Sequence, residues 1–153
     1  MNYQYHALAS HSQQDARDSV GLITQSLKEK NIKIWWDMDQ KVSMDGMLKG
    51  IENSKTILVF LTKTYFTRQW CRWELFCALV MEKPVIFVHE NRFEKAFSFN
   101  PKVYLQGVPK DWHEIVQTLV KETVSIEYET VGHQREAMME EITQTIENPE
   151  SRG

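Results

Sequence analysis

Lys55–Thr62, KTILVFLT, is the stretch that decides the fold. Its apolar residues run unbroken from Ile57 to Leu61. A strand with one wet face would alternate, so a continuous run marks a central strand of a parallel sheet covered on both faces. A second such run, Lys83–Glu90 (KPVIFVHE), opens with Pro84, a position that a strand tolerates. Between them QWCRWELFCALVME (69–82) has helical length, and the polar KTYFTR (63–68) joins it to the first run as a loop.

Working outward, Tyr3–Ala9 reads as a short strand, ended by SHSQQD (Ser10–Asp15), whose Ser and Asp residues are candidate helix N-caps. Val20, Ile23 and Leu27 then recur at helical spacing, and Asn31 closes that helix. IKIWWD (32–37) resumes β-branched and aromatic strand character. DGMLKGIENS (45–54) reads as a short helix capped by Asp45. Further on, Asn91–Lys110 is an irregular aromatic connection, and DWHEIVQTLVKE (111–122) a helix capped by Asp111. TVSIEYE (123–129) is a fifth strand and HQREAMMEEITQTI (133–146) an amphipathic helix. Strands alternating with helices give an α/β fold. The expected form is a flavodoxin-like open parallel five-stranded sheet with helices on both faces. The expected domain spans residues 1–148, with 149–153 as a frayed tail.

A chain of 153 residues is the size of one ordinary domain and buries enough surface to need no staple. Its net charge of -3 offers no electrostatic case for nucleic acid or an anionic membrane. Cys71 and Cys77 sit about 9 Å apart along one helix, too far for an unstrained disulfide, and read as reduced thiols. There is neither a signal-peptide pattern nor an apolar run near the ~20 residues of a membrane span. A cytoplasmic location is expected.

Ligands of open parallel sheets bind outside the carboxyl ends of the strands. SHSQQD, WDMDQKVSMD (36–45) and KTYFTRQWCRWE (63–74) gather at that edge. They bring Ser10, His11, Ser12, Trp36, Asp37, Lys41, Trp70 and Glu74 together as candidates. With only six glycines, the chain has neither GxGxxG nor GxxxxGK, and its five histidines make no zinc pattern. A Cys71–His11 nucleophile pair is conceivable, but inert core is the commoner fate of such a cysteine. Glu74 stands out as a carboxylate within the apolar run WCRWELFCALV (70–80). Spacing alone leaves two readings: a partly solvated residue favoured by the helix dipole, or a carboxylate desolvated by tryptophans and tuned for chemistry.

The same residues resemble the TIR (Toll/interleukin-1 receptor) domain family. ALASHSQQD, IWWD, IENS, KTILVFLTKTYF and QWCRWEL follow the family's order over residues 3–89, and the Trp-Cys-x-x-Glu-Leu motif is the most specific of them. Residues 90–153 match only in broad layout. The resemblance implies that Glu74 catalyses cleavage of NAD⁺ at the nicotinamide–ribose bond, giving nicotinamide and ADP-ribose or a cyclic form. NAD⁺ is then a substrate, and no cofactor or metal is implied. Ser10, His11 and Ser12 would border the nicotinamide and ribose. Trp36 and Asp37 would open the covering loop, Trp36 or Trp70 would stack on a ring, and Lys41 would face the diphosphate. Homotypic association with other TIR domains is implied, in immune or cell-death signalling. The alternative is a non-catalytic TIR scaffold. The chain departs from the family in lacking the Arg-Asp-x-x-Pro-Gly loop of animal receptor and adaptor members, and in placing Arg68 before the motif. A receiver-type fold would want acidic residues where Ser10–His11 and Thr62–Lys63 stand.

Overall fold

The computed structural model describes residues 3–36 and 43–149. The elements run β1 (Tyr5–Ser10), α1 (Arg17–Glu29), β2 (Ile34–Trp35), α2 (Met44–Glu52), β3 (Ser54–Leu61), α3 (Gln69–Val80) and β4 (Val85–His89). They continue with α4 (Pro101–Tyr104), α5 (His113–Glu122), β5 (Ser125–Glu127) and α6 (Gly132–Glu147). The five strands form one sheet of order β2-β1-β3-β4-β5, and every pairing is parallel. This is the expected flavodoxin-like fold.

Alternation along β3 divides the core. Leu58 and Phe60 face one layer, with α1 residues Val20, Ile23 and Leu27 and α6 residues Met138, Ile142 and Ile146. Ile57, Val59 and Leu61 face the other, with Met47 and Ile51 of α2, Leu75 of α3 and Val116 of α5. The apolar run in KTILVFLT therefore serves two cores at once, the physical reason that it does not alternate.

Helix starts differ from the sequence expectations. Ser43, not Asp45, caps α2, its Oγ accepting from the Gly46 N–H at 3.1 Å. Neither α1 nor α5 has a side-chain cap. Asp15 is engaged with a neighbouring loop, described below, and Asp111 lies in a 3₁₀ turn, Lys110–Trp112, that precedes α5. Asn31 follows α1 with φ 63°, the left-handed conformation that Asn tolerates. Gly50 lets α2 lie close to the sheet: a Cβ there would stand 3.1 Å from the Trp35 ring and 3.3 Å from Leu8 Cδ1.

Candidate active site

The sheet order reverses between β1 and β3, so the chain leaves their adjacent carboxyl ends toward opposite faces and opens a crevice there. The segments that follow β1 and β3 meet at that point through side-chain bonds. Ser10, at the end of β1 and fully buried, bonds the Tyr65 hydroxyl at 2.7 Å. Ser12, also fully buried, bonds Thr64 Oγ1 at 2.7 Å. Asp15 accepts from Thr62 Oγ1 at 2.5 Å, from the Thr64 N–H at 3.1 Å and from Thr64 Oγ1 at 2.8 Å. A carboxylate taken from water needs such donors, and here it latches the loop after β1 to the loop after β3.

From that latch the chain turns into α3. The Tyr65 hydroxyl reaches the Cys71 carbonyl at 3.5 Å, and the Cys71 thiol donates to the His11 carbonyl at 3.4 Å. Tyr65 thus ties the end of β1 to the first turn of α3. Glu74, one turn further on, is only 6% exposed. The dipole reading fails on this geometry, because no acidic residue lies in the helix's first turn and the carboxylate is buried rather than partly solvated. Its field is felt by its neighbours. Burial, then Cys71 and Glu74, hold the Tyr65 phenol well above the ordinary tyrosine range, against the Ser10 hydrogen bond. Burial and then Glu74 also raise the thiols of Cys71 and Cys77. Glu74 therefore sits amid Tyr65, Cys71 and Cys77.

These shifts set the nucleophile idea aside. Cys71 is held as the thiol, its proton directed at a carbonyl, while His11 Nε2 accepts from the Trp36 indole N–H at 3.3 Å. Both cysteines are free, Cys71 buried and Cys77 half-buried. No group of His, Cys, Asp or Glu among the described residues is arranged to hold a metal.

Helix α3 also inverts the usual order of residues. Its inward face carries Arg72 and Glu74 beside Cys71, Leu75 and Ala78. Trp73, Phe76 and Val80 are instead 38%, 47% and 66% exposed. Trp73 is therefore no dry wall for Glu74. Trp70 is half-buried, its ring 6.3 Å from that of Trp73. Arg72 donates to the Phe66 carbonyl at 2.9 Å and stands over the Trp112 ring at 5.7 Å, and burial lowers its pKa. Arg68 reaches Gln14 Oε1 at 3.5 Å, a link from the start of α3 to the loop after β1.

The structure ties Ser10 and Ser12 to the loop after β3 and His11 to Cys71, and Glu74 lies close to Tyr65 and Cys71 in the same cluster. It places Trp36 on the opposite layer, packed with the α1 and α6 cluster and joined to the crevice through His11. Asp37 and Lys41 lie outside the described residues. Sequence reasoning missed Trp35, which alternation sends to the α2 and α3 layer instead of Trp36. It also missed Tyr65 and Asp15, for which the hydroxyl-rich TKTYFT (62–67) opposite SHSQQD was the available signal.

A model of the TIR domain matches residues 9–120. The chain belongs to the TIR domain family. It is 31% identical over 108 residues to the NAD(+) hydrolase TirS of Staphylococcus aureus, covering 64% of this chain and 39% of that protein. It is 27% identical over 111 residues to a probable 2′ cyclic ADP-D-ribose synthase, TcpO, of Methanobrevibacter olleyae, covering 67% of this chain and 32% of that one. This TIR domain thus spans about a third of the length of these relatives. Among solved structures, the TIR domains of the activated Roq1 resistosome superpose with a TM-score of 0.69 at 19% identity, covering 94% of this chain and 99% of that one. No helix among the described residues is long and apolar enough to cross a membrane.

Proposed function

We propose that this TIR domain cleaves NAD⁺ at the nicotinamide–ribose bond, with Glu74 as the catalytic carboxylate, in immune or cell-death signalling. The observation that supports the reading is a 6%-exposed glutamate on α3 whose charge is felt by Tyr65 and Cys71, the residues bonded to Ser10 and to the His11 carbonyl at the end of β1. Burying such a group is costly, and a fold that needed only packing there would do better with an apolar residue. Similarity to a NAD(+) hydrolase and to a probable cyclic ADP-ribose synthase supports the choice of substrate.

The chemistry suits one carboxylate. The C1′–N bond breaks with its electron pair leaving on nicotinamide, already a good leaving group, and the ribose gains oxocarbenium character. A negative charge in a water-poor site stabilises that cation far better than it would in water. Water then adds at C1′ and releases a proton, giving ADP-ribose, or a hydroxyl or ring nitrogen of the same molecule adds and closes a ring. Ser10 and Ser12, whose hydroxyls are engaged within the protein, act by shaping the loop that borders the ribose, with His11 at its rim. Trp70, Asp37 and Lys41 complete the proposed substrate set, while Trp36 reaches it only through His11.

Self-association is proposed as the activating event. Trp73, Phe76 and Val80 form an exposed apolar row on the very helix that carries Glu74. Contact there is placed to shift α3 and open the carboxylate to substrate. The same row favours a second reading, a scaffold that signals by assembly alone. Incubation of the protein with NAD⁺ over a range of concentrations, with nicotinamide measured by chromatography, separates them. Specific activity rising with concentration supports activated cleavage. No release even when the chains are clustered on a support favours the scaffold.

A further inference from the structure

We propose that the groove between α1 and the open edge of β2 is a binding site for a flat aromatic anion of the nucleotide class, distinct from the Glu74 crevice. The groove encloses about 700 Å³, within the 300–1,000 Å³ usual for small-molecule sites. Tyr5 and Trp36 supply aromatic walls, Ile32 and Ile34 the aliphatic floor, and Lys28 and Lys33 the charged rim.

Charge selects the ligand. No carboxylate is among the described residues lining the groove, although the whole chain carries a net charge of -3. Among the described lining residues the two ammonium groups have no counter-charge, which makes this a cationic spot on an acidic protein. Glu29 is the rim's acidic neighbour, bonded to Gln25 at 3.5 Å. Shape selects the ring. Trp36 and Ile34 are only half-buried against the α1 and α6 core, so apolar surface stays open beside them. Gly21 keeps that wall flat: a Cβ there would already touch Trp36 Cη2 at 3.4 Å. An added peptide strand fits less well, since β2 offers just two residues, Ile34 and Trp35, as an edge. A ring stacked on Trp36 with its anionic group between Lys28 and Lys33 uses every distinctive feature of the groove.

The position also gives the ligand a route to the crevice. The Trp36 indole N–H donates to His11 Nε2 at 3.3 Å, and the His11 carbonyl receives the Cys71 thiol at 3.4 Å. Occupancy of the groove therefore bears on the loop that holds Ser10 and Ser12.

The test is titration of the ¹⁵N-labelled chain with ADP, with adenosine as the uncharged control. Saturable shifts at the Trp36 indole and the Lys33 amide are expected. Adenosine should bind at least tenfold more weakly, and so should ADP to the Lys28→Glu, Lys33→Glu variant, whose exposed changes leave the fold intact. Glu74→Gln should keep the Trp36 shift. A Trp36 resonance unmoved at millimolar ADP, or equal affinity in the charge-reversed variant, overturns the proposal. A dimer formed through this groove and not displaced by ADP overturns it too, by assigning the groove to a second copy. Binding at Trp36 in a protein that never cleaves NAD⁺ would defeat the proposed function and leave this inference standing.

Discussion

Breaking the Ser10–Tyr65 bond measures how firmly the crevice is held. Both side chains are fully buried and their oxygens are 2.7 Å apart; the phenol's other contact, the Cys71 carbonyl, is at 3.5 Å. Tyr65→Phe keeps the ring and removes one bond, leaving Ser10 Oγ short of a partner, which costs about 1–2 kcal/mol. Ser10→Ala strands the phenol with its longer contact and costs about 1–3 kcal/mol. In the double variant neither stranded group remains, so its loss should fall short of the sum by about 1 kcal/mol. For a chain of 153 residues each kcal/mol lowers Tm by about 3 °C, within reach of calorimetry. A pH scan adds an independent check. Tyr65 keeps its proton in the fold to higher pH than it does unfolded, so its contribution is complete below the unfolded value of about 10 and is lost as pH rises above it. Tyr65→Phe should flatten that alkaline slope. Additivity of the single variants within 0.3 kcal/mol, with an unchanged alkaline slope, would refute the reasoning.

Asp15→Ala removes the acceptor of three bonds and strands the Thr62 hydroxyl and the Thr64 N–H, so a loss of about 2–4 kcal/mol is expected in urea unfolding. Two glycine replacements should differ in sign. Gly21→Ala gains helix propensity at an ordinary contact distance and stabilises by about 0.5–1 kcal/mol, whereas in Gly50→Ala the same gain is outweighed by crowding of the Trp35 ring and Leu8, so a net loss is expected, both read by thermal melts. Burial holds the His89 imidazole below its ordinary range against Glu127 and Glu90, so its contribution is complete above the unfolded value near 6.5 and is lost as pH falls below it. His89→Gln should therefore compare better with wild type at pH 5.5 than at pH 7.5 in denaturant midpoints, and a pH-independent difference would count against this.

The sheet was legible because each of its signals is local. The unbroken run Ile57–Leu61 and its partner Val85–Val88 need two covered faces, and the helices between them fix parallel pairing. The caps were less legible, since Asp15 and Asp45 are good caps by type, and only tertiary contact decides that Asp15 serves Thr62 and Thr64. That Glu74 lies on a helix followed from the length and pattern of the run around it. Its burial did not, because helical spacing cannot say that Trp73, Phe76 and Val80 face out while Arg72 and Glu74 face in. The choice between Trp35 and Trp36 was a matter of one residue of strand register, which sends neighbours to opposite layers.

The most direct test of the central claim is nicotinamide release from NAD⁺ by concentrated wild-type protein and by Glu74→Gln, each with folding verified by circular dichroism. Release by wild type is expected, with a loss of about 10²–10³-fold in the variant, the scale on which removal of one transition-state-stabilising group is felt. Equal release by a folded Glu74→Gln protein would contradict it.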